Sequence, residues 1–375
     1  MIKPKEFYDA LIERGVDFFT GVPDSLLKDF GAYVMDNAPS DRHIITANEG
    51  SAVARTIGHH IGTGKIGLVY MQNSGQGNAV NPLVSSADKD VYSIPMILLI
   101  GWRGEPGKKD EPQHVKQGKI TLGLLDTLGI EKLVLSDNIE DARKEIDTAV
   151  DYAREHNEPY GIVVKADTFE EYKLQKGGKT NYELDRESAL KIVVGEISDR
   201  DIVVSTTGKT SRELFELREG LGEGHGRDFL CVGNMGHASS IADEVAGSRR
   251  DRNVYCFDGD GALIMHMGAL TDVGKKGNKN FKHIVFNNGS HDSVGGQPTA
   301  GFDIDILGIA KACGYKEAWR AETAEEIKER MKALQETEGP SLLEIRVNKG
   351  ARKDLGRPTT SPIENKHSFM EFLSE

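Results

Sequence analysis

The sequence predicts an α/β protein made of two doubly wound parallel-sheet domains with no middle domain. Three observations lead there. First, short apolar runs alternate with helix-length segments as far as about Lys165, and the alternation resumes at about Glu187. Second, the stretch between, Thr168 to Arg186, is polar and holds Lys173, Lys176, Gly177, Gly178 and Lys179, which is the composition of a linker. Third, the apolar runs end in turns of Gly, Asn and Asp, as strands buried on both faces do when they leave a parallel sheet. The expected boundaries are 1–168, a linker at 169–186, and 187–375. A chain of 375 residues can fill two such cores.

Taken in order, Phe7, Leu11 and Ile12 lie at helical spacing over residues 4 to 15, and Gly15 ends the pattern. Val16 to Phe19 reads as a strand running into Gly21-Val22-Pro23-Asp24-Ser25, with a helix after it to about Met35. Ile44-Ile45 is strand-like, and a helix runs from Glu49 to the glycines near Gly62. Gly67 to Met71 is a strand, followed by a glycine-rich loop, Asn73 to Asn78, that opens a helix. Met96 to Ile100 is a buried strand entered through Pro95, and Gly101 to Gly118 reads as a polar loop. A helix, a strand (Leu133 to Leu135), a helix (Ile139 to Arg154) and a strand (Gly161 to Lys165) complete the first half. The second half offers strands at Ile202–Ser205, Phe229–Cys231, Val254–Phe257, His283–Phe286 and Leu342–Ile345. A short edge strand is expected near Lys316–Trp319, and a surface helix at Ala324–Leu334.

A formal charge of −12 argues against non-specific nucleic-acid binding, so an anionic substrate would need a local basic patch. Cys231, Cys256 and Cys313 are odd in number and lack metal-ligand spacing, which fits small core residues in a reducing cytoplasm. The N-terminus is charged and helical rather than a secretion signal, and no apolar run approaches the roughly 18 residues of a membrane span.

The chemistry concentrates between Phe257 and Ser290. Two apolar runs lead into Gly259-Asp260-Gly261 and Asn287-Asn288-Gly289-Ser290, with Asp260 and Asn288 28 positions apart, the length of a strand–helix–strand unit. Adjacent strands would then present a carboxylate and an amide at the ligand-binding end of one sheet. Hard oxygen donors suit magnesium, and bare glycines let backbone amides approach a phosphate. Taken singly, each turn is ordinary.

Together these turns resemble the thiamine diphosphate-dependent decarboxylase family. The resemblance implies a pyrimidine-binding domain at 1–168, a diphosphate- and magnesium-binding domain at 187–375, and thiamine diphosphate with Mg2+ as cofactors. Asp260, the Asn288 side chain and the Ser290 carbonyl would hold the metal. Gly259, Gly261 and Ala262 would line the diphosphate, with Thr207 and Gly208 as a strand-end anion turn. Met235, in Gly233-Asn234-Met235-Gly236-His237, would wedge between the cofactor's rings; a plain core methionine is the other reading. Glu49 would bond the aminopyrimidine and promote loss of the thiazolium C2 proton, although a glutamate in a first helical turn is also a common dipole partner. Gln72, Asn73, Ser74 and Gly75 match the glycine-rich loop near the pyrimidine. That loop is not a dinucleotide fingerprint, because Val80 stands where its third glycine belongs. Nor is Gly208-Lys209-Thr210 a P-loop, because Val203 replaces the first glycine.

Further segments narrow the resemblance to the phosphonopyruvate decarboxylases, with the sulfopyruvate decarboxylases as sister family. They are Gly21 to Ser25, Glu111 to His114, His291 to Gln297 and Leu355 to Thr359. The implied reaction is non-oxidative decarboxylation of 3-phosphonopyruvate to phosphonoacetaldehyde and CO2 through a cofactor ylide and enamine. His114 and His291 become candidates for proton transfer or for polarising the keto oxygen, with Asp292 assisting; a lone histidine is as readily structural. Ser25, Arg103 and Arg357 become candidates for binding the small anionic 2-keto acid, since arginine forks suit phosphonate oxygens. Charge runs such as the loop Trp102 to His114 and the tail Gly350 to Pro358 are otherwise solvated faces. The resemblance also implies a homodimer or larger, with active sites at the subunit interface, no nucleic acid and no membrane. The rival readings are a sulfopyruvate decarboxylase, another thiamine diphosphate-dependent 2-keto acid decarboxylase or carboligase, and a nucleotide-binding α/β protein without thiamine.

Overall fold

The computed structural model describes residues 1–375 and divides into two compact units, Met1–Gly177 and Gly178–Glu375. The first contains α1 (Pro4–Glu13), β1 (Phe19–Gly21), α2 (Lys28–Asn37), β2 (His43–Ile45), α3 (Glu49–Thr63) and β3 (Gly67–Gln72). It continues through α4 (Gln76–Pro82), β4 (Met96–Gly101), α5 (Pro112–Thr127), β5 (Glu131–Val134), α6 (Ile139–His156) and β6 (Pro159–Val164). Its strands form one parallel sheet in the order β2-β1-β3-β4-β6-β5. Side chains alternate between the faces. Leu68, Tyr70, Ile97 and Leu99 pack with Phe7, Phe30 and Ile146, while Val69, Met71, Leu98 and Ile100 pack with Val53, Ala79 and Leu125. With both faces covered, β4 is buried from end to end, which is why it reads as an unbroken apolar run.

The second unit contains α7 (Arg186–Glu196), β7 (Ile202–Ser205), α8 (Lys209–Leu221), β8 (Asp228–Leu230), α9 (Ala238–Ser248), β9 (Val254–Gly259) and α10 (Asp260–Met265). It ends with α11 (Ala269–Lys276), β10 (Phe281–Asn287), α12 (Ile306–Ala312), β11 (Glu317–Ala321), α13 (Ala324–Glu336), β12 (Ser341–Arg346) and α14 (Pro362–Ser374). The sheet order is β11-β12-β10-β9-β7-β8, again all parallel. Read from its other edge, this is the connectivity of the first sheet. In each unit the strand order reverses beside the first strand, at β1/β3 and at β7/β9, where doubly wound sheets bind ligands. No helix is long and apolar enough to cross a membrane.

The structure departs from the sequence reading in four places. β1 begins at Phe19, because Val16 and Phe18 are buried ahead of the paired register with β2 and β3. Asn73 to Asn78 is not a loop: Asn73–Gly75 is a tight helical turn that runs straight into α4 at Gln76. The expected loop to Gly118 ends early, since Pro112 starts α5 at a position where its missing amide costs nothing. The expected linker is tied down on both sides of Gly177. Phe169 packs in the first core against Phe7 and Phe30, and the Tyr172 amide donates to Asp29. In the second unit, Tyr182 exchanges hydrogen bonds with Asn348.

His43 supplies a pH test of the first unit. Its Nε2 lies 2.9 Å from the Tyr70 hydroxyl, and burial pushes its pKa down to about 4. The unfolded chain, at about 6.5, takes up the proton first, so the folded state loses stability as pH falls from 6.5 toward 4. Urea denaturation of His43→Gln beside the parent should show a pH dependence flatter by about 1–2 kcal/mol across that window.

Candidate active site

In the second unit, β9 and β10 pair with Phe286 opposite Gly259, so Asp260 and Asn288 leave adjacent strand ends side by side. Both are buried, at 2% and 3% exposure. The Asp260 carboxylate meets the Thr299 hydroxyl and backbone amides, and burial pushes its pKa up to about 6. Asn287 is structural: its Nδ2 donates to the Gly301 carbonyl and to Glu344 Oε1, both at 2.7 Å, which holds the 299–301 loop beside Asp260. Asn288 turns its Nδ2 to Asp292 Oδ2 at 2.7 Å, and its Oδ1 accepts from the Ser290 amide at 3.0 Å. The Ser290 hydroxyl is buried without a partner. His291 lies against Gly261, and burial lowers its pKa to about 4, so its ring is neutral.

The neighbouring strand ends join this cluster. The Gly233 amide donates to Thr207 Oγ1 at 2.9 Å, linking the turns after β7 and β8. Gly233, Asn234 and Gly236 all have positive φ, and a Cβ at Gly236 would stand 2.8 Å from the Ala262 carbonyl. The turn carrying half-buried Met235 is thereby pressed onto α10, which starts Asp260-Gly261-Ala262. Gly208, at φ 101°, precedes α8, and the Thr206 hydroxyl beside it is buried and unpartnered. Arg357 is exposed on a tail held to α8 by Arg212, whose Nε donates to the Gly356 carbonyl at 2.5 Å. That tail meets the cluster at Gly350, whose amide donates to Asp292 at 2.8 Å.

The first unit gathers the remaining residues. Asn48 caps α3 through its side chain, so the next residue, Glu49, sits in the first turn with its carboxyl buried. Glu49 Oε2 accepts from Asn78 Nδ2 at 2.7 Å, and burial raises its pKa. Gly75 is needed here: a Cβ would stand 2.5 Å from the Glu49 carboxyl carbon. Gln72 bonds Ser74 at 2.7 Å, while Asn73 Nδ2 donates to the Arg103 carbonyl and to Thr121 Oγ1.

Arg103, expected to be an available cation, is engaged. It grips Asp110 through Nε (2.9 Å) and Nη2 (2.5 Å), and its Nη1 donates to Ser25 Oγ at 2.7 Å. Asp110 also accepts from the Gly104 and Glu111 amides and from His114 Nδ1. Burial opposes its ionisation, but these donors hold its carboxyl well below the usual range. An acceptor at Nδ1 places the His114 proton there and leaves the lone pair on Nε2, and burial keeps the ring neutral. Asp24, next to Ser25, is buried with Oδ1 unpartnered, and burial raises its pKa to about 6.

Several of these partners escaped the sequence reading. Asn78 and Asp110 lie inside the motif segments but were given no role. Thr299, Arg186 and Glu213 belong to no motif, and only tertiary packing brings them in.

Comparison with known proteins follows the same division. Residues 5–124 match the thiamine pyrophosphate enzyme N-terminal TPP binding domain, and residues 223–345 match the C-terminal TPP binding domain. The phosphonopyruvate decarboxylase of Streptomyces viridochromogenes is 33% identical over 100% of this chain and 96% of its own length. The sulfopyruvate decarboxylase of Methanosarcina acetivorans is 27% identical over 100% of this chain and 98% of its own. The sulfopyruvate decarboxylase beta and alpha subunits of Methanococcus maripaludis match 52% and 33% of the chain, at 28% and 36% identity, over 100% and 71% of their own lengths.

The buried carboxyl of Glu49 yields a test of its own. Its folded pKa lies above the unfolded one, so ionising it destabilises the folded state as pH rises past the unfolded value. Glu49→Gln should therefore melt at a higher temperature than the parent at pH 8, and the gap should close as pH approaches 4. Thermal melts at the two pH values check this.

Proposed function

The chain belongs to the thiamine pyrophosphate enzyme family, among the phosphonopyruvate decarboxylases and their sulfopyruvate decarboxylase relatives, and on that premise we propose that it decarboxylates 3-phosphonopyruvate to phosphonoacetaldehyde and CO2. The observation that carries the choice of substrate is the full-length match to a phosphonopyruvate decarboxylase, closer at 33% than the sulfopyruvate enzyme at 27%. Three free cysteines, two of them buried, accord with a reducing cytoplasm.

The residues fit a magnesium diphosphate. Asp260 is a buried carboxylate whose partners are one hydroxyl and backbone amides, and a divalent cation would restore its ionised form. Its neighbours, the Asn288 side-chain oxygen and the Ser290 carbonyl, complete a hard-oxygen set suited to Mg2+. The unpartnered Thr206 hydroxyl, with Thr207, Gly208, Gly233, Gly259, Gly261 and Ala262, gives donors and room for the diphosphate. Met235 supports the cofactor's rings, and Gln72 to Gly75 line the pyrimidine side.

When bound, thiamine diphosphate supplies the nucleophilic carbon and the electron sink for the carboxylate lost as CO2. The chain supplies placement and protons. Glu49 sits in a dry site that raises its pKa, which suits it to share a proton with the aminopyrimidine. His114, with a lone pair on Nε2, and His291, neutral, are the groups able to donate to or accept from the substrate oxygen or the product carbon. The Ser25 hydroxyl and the outer edge of the Arg103 guanidinium bind the phosphonate, with Arg357 as a second cation. The working unit is at least a homodimer, with the cofactor between Glu49 of one copy and Asp260 and Asn288 of another.

The reading is tested by aldehyde release with added thiamine diphosphate and Mg2+, offering phosphonopyruvate, sulfopyruvate and pyruvate at equal concentration. Phosphonopyruvate should be turned over best; a preference for sulfopyruvate would move the enzyme to its sister family. Glu49→Gln should stay folded and slow exchange of the thiazolium C2 proton by orders of magnitude, followed by NMR in deuterated water. An unchanged exchange rate would remove Glu49 from this role.

A further inference from the structure

Asp292 stands next to His291 and invites a catalytic role, but its surroundings give it another. One oxygen, Oδ2, collects three donors: Asn288 Nδ2 at 2.7 Å, the Gly350 amide at 2.8 Å and Arg186 Nη1 at 3.4 Å. Arg186 starts α7 and is itself fixed by Glu213 of α8, Nε to Oε2 at 2.7 Å and Nη2 to Oε1 at 2.8 Å. All three side chains are buried, at 6%, 1% and 8% exposure for Arg186, Glu213 and Asp292. Burying such a set is worthwhile only if the geometry is exact and every charge is met.

An ionised carboxylate can only accept. The Asn288 atom facing it must therefore be the NH2 group, which turns Oδ1 the opposite way. Oδ1 has two lone pairs. One takes the Ser290 amide, and the second is left for a cation next to Asp260. We propose that Arg186, Glu213 and Asp292 form a brace that sets the Asn288 amide with its oxygen toward the metal, which makes Asp292 a positioning residue. The inference rests on the reading of Asp260 and Asn288 as the magnesium site. Outer partners of this kind commonly change metal affinity by about 10–100-fold when removed. Because Gly350 binds the same oxygen, the brace also fastens the 350–357 tail to the metal loop.

The test measures Mn2+ binding to the full chain with thiamine diphosphate by electron paramagnetic resonance, together with melting temperature and the kcat and KM of each variant at saturating metal. Asp292→Ala should raise the Mn2+ Kd by about 10–100-fold. Asp292→Asn should recover to within about threefold of the parent, because an amide oxygen also accepts from Asn288 Nδ2. The pair Arg186→Met with Glu213→Leu removes the outer ion pair together, leaves Asp292 with only the Asn288 and Gly350 donors, and should weaken Mn2+ in the same direction. Asp260→Ala is the control for the site itself. If it loses Mn2+ while Asp292→Ala binds normally, the brace is refuted and the site stands. If neither loses Mn2+, the metal-site reading fails. An Asp292→Ala protein that is altered in kcat or KM but not in Mn2+ Kd would make Asp292 a substrate-contacting residue and overturn the proposal.

Discussion

The in-register parallel pairing of β9 with β10 is the constraint on which the rest of the second unit depends. It runs from Phe281 opposite Val254 to Phe286 opposite Gly259. A slip of one residue would send every side chain of β10 to the opposite face and shift Asn288 by about 3.3 Å along Asp260. The register is held by the core. Phe257 and Phe286 meet edge to face at 5.8 Å on one side, and Cys256 and Val285 pack on the other. Each fully buried side chain of this size contributes about 1.5–3 kcal/mol, more than most exposed ion pairs. The apolar strands thus hold two polar side chains, Asp260 and Asn288, dry and close together at their tips.

The carboxyl groups at the strand ends fall into two kinds. Asp24, Glu49 and Asp260 are buried with few donors, and in all three burial is the largest influence and raises the pKa. Asp110 is the opposite: two guanidinium contacts, two amides and an imidazole saturate it, and its pKa falls. A starved carboxyl costs stability and is available for chemistry, whereas a saturated one organises its neighbours. Arg103 and His114 take their orientation from Asp110, so the basic-looking loop after β4 is an internally neutralised scaffold more than a field of free cations.

Much of this was legible in the sequence because it is local. Fully buried strands announce themselves as apolar runs, and β7 was read with its observed ends, Ile202 and Ser205. The Gly259–Gly261 and Asn287–Ser290 turns were legible because each lies directly after such a run. What was not legible depends on distant partners. Arg186 reaches Asp292 across 106 positions, and Arg103 reaches Ser25 across 78. The start of α5 was misread because a proline in a charged stretch looks like loop until its first-turn position is seen. β1 was placed too early because Val16 and Phe18 are buried without joining the paired strand. The linker residues were judged by polarity, which says nothing of Phe169 reaching the first core.

The shared strand order of the two sheets bears on supply as well as on structure. Each unit buries its own core layers on both faces of its own sheet, and no strand of either sheet is borrowed from the other. An enzyme divided into alpha and beta subunits must match the output of two reading frames, and any surplus of one is wasted protein. Here a single message yields the two halves in equal number with every round of translation.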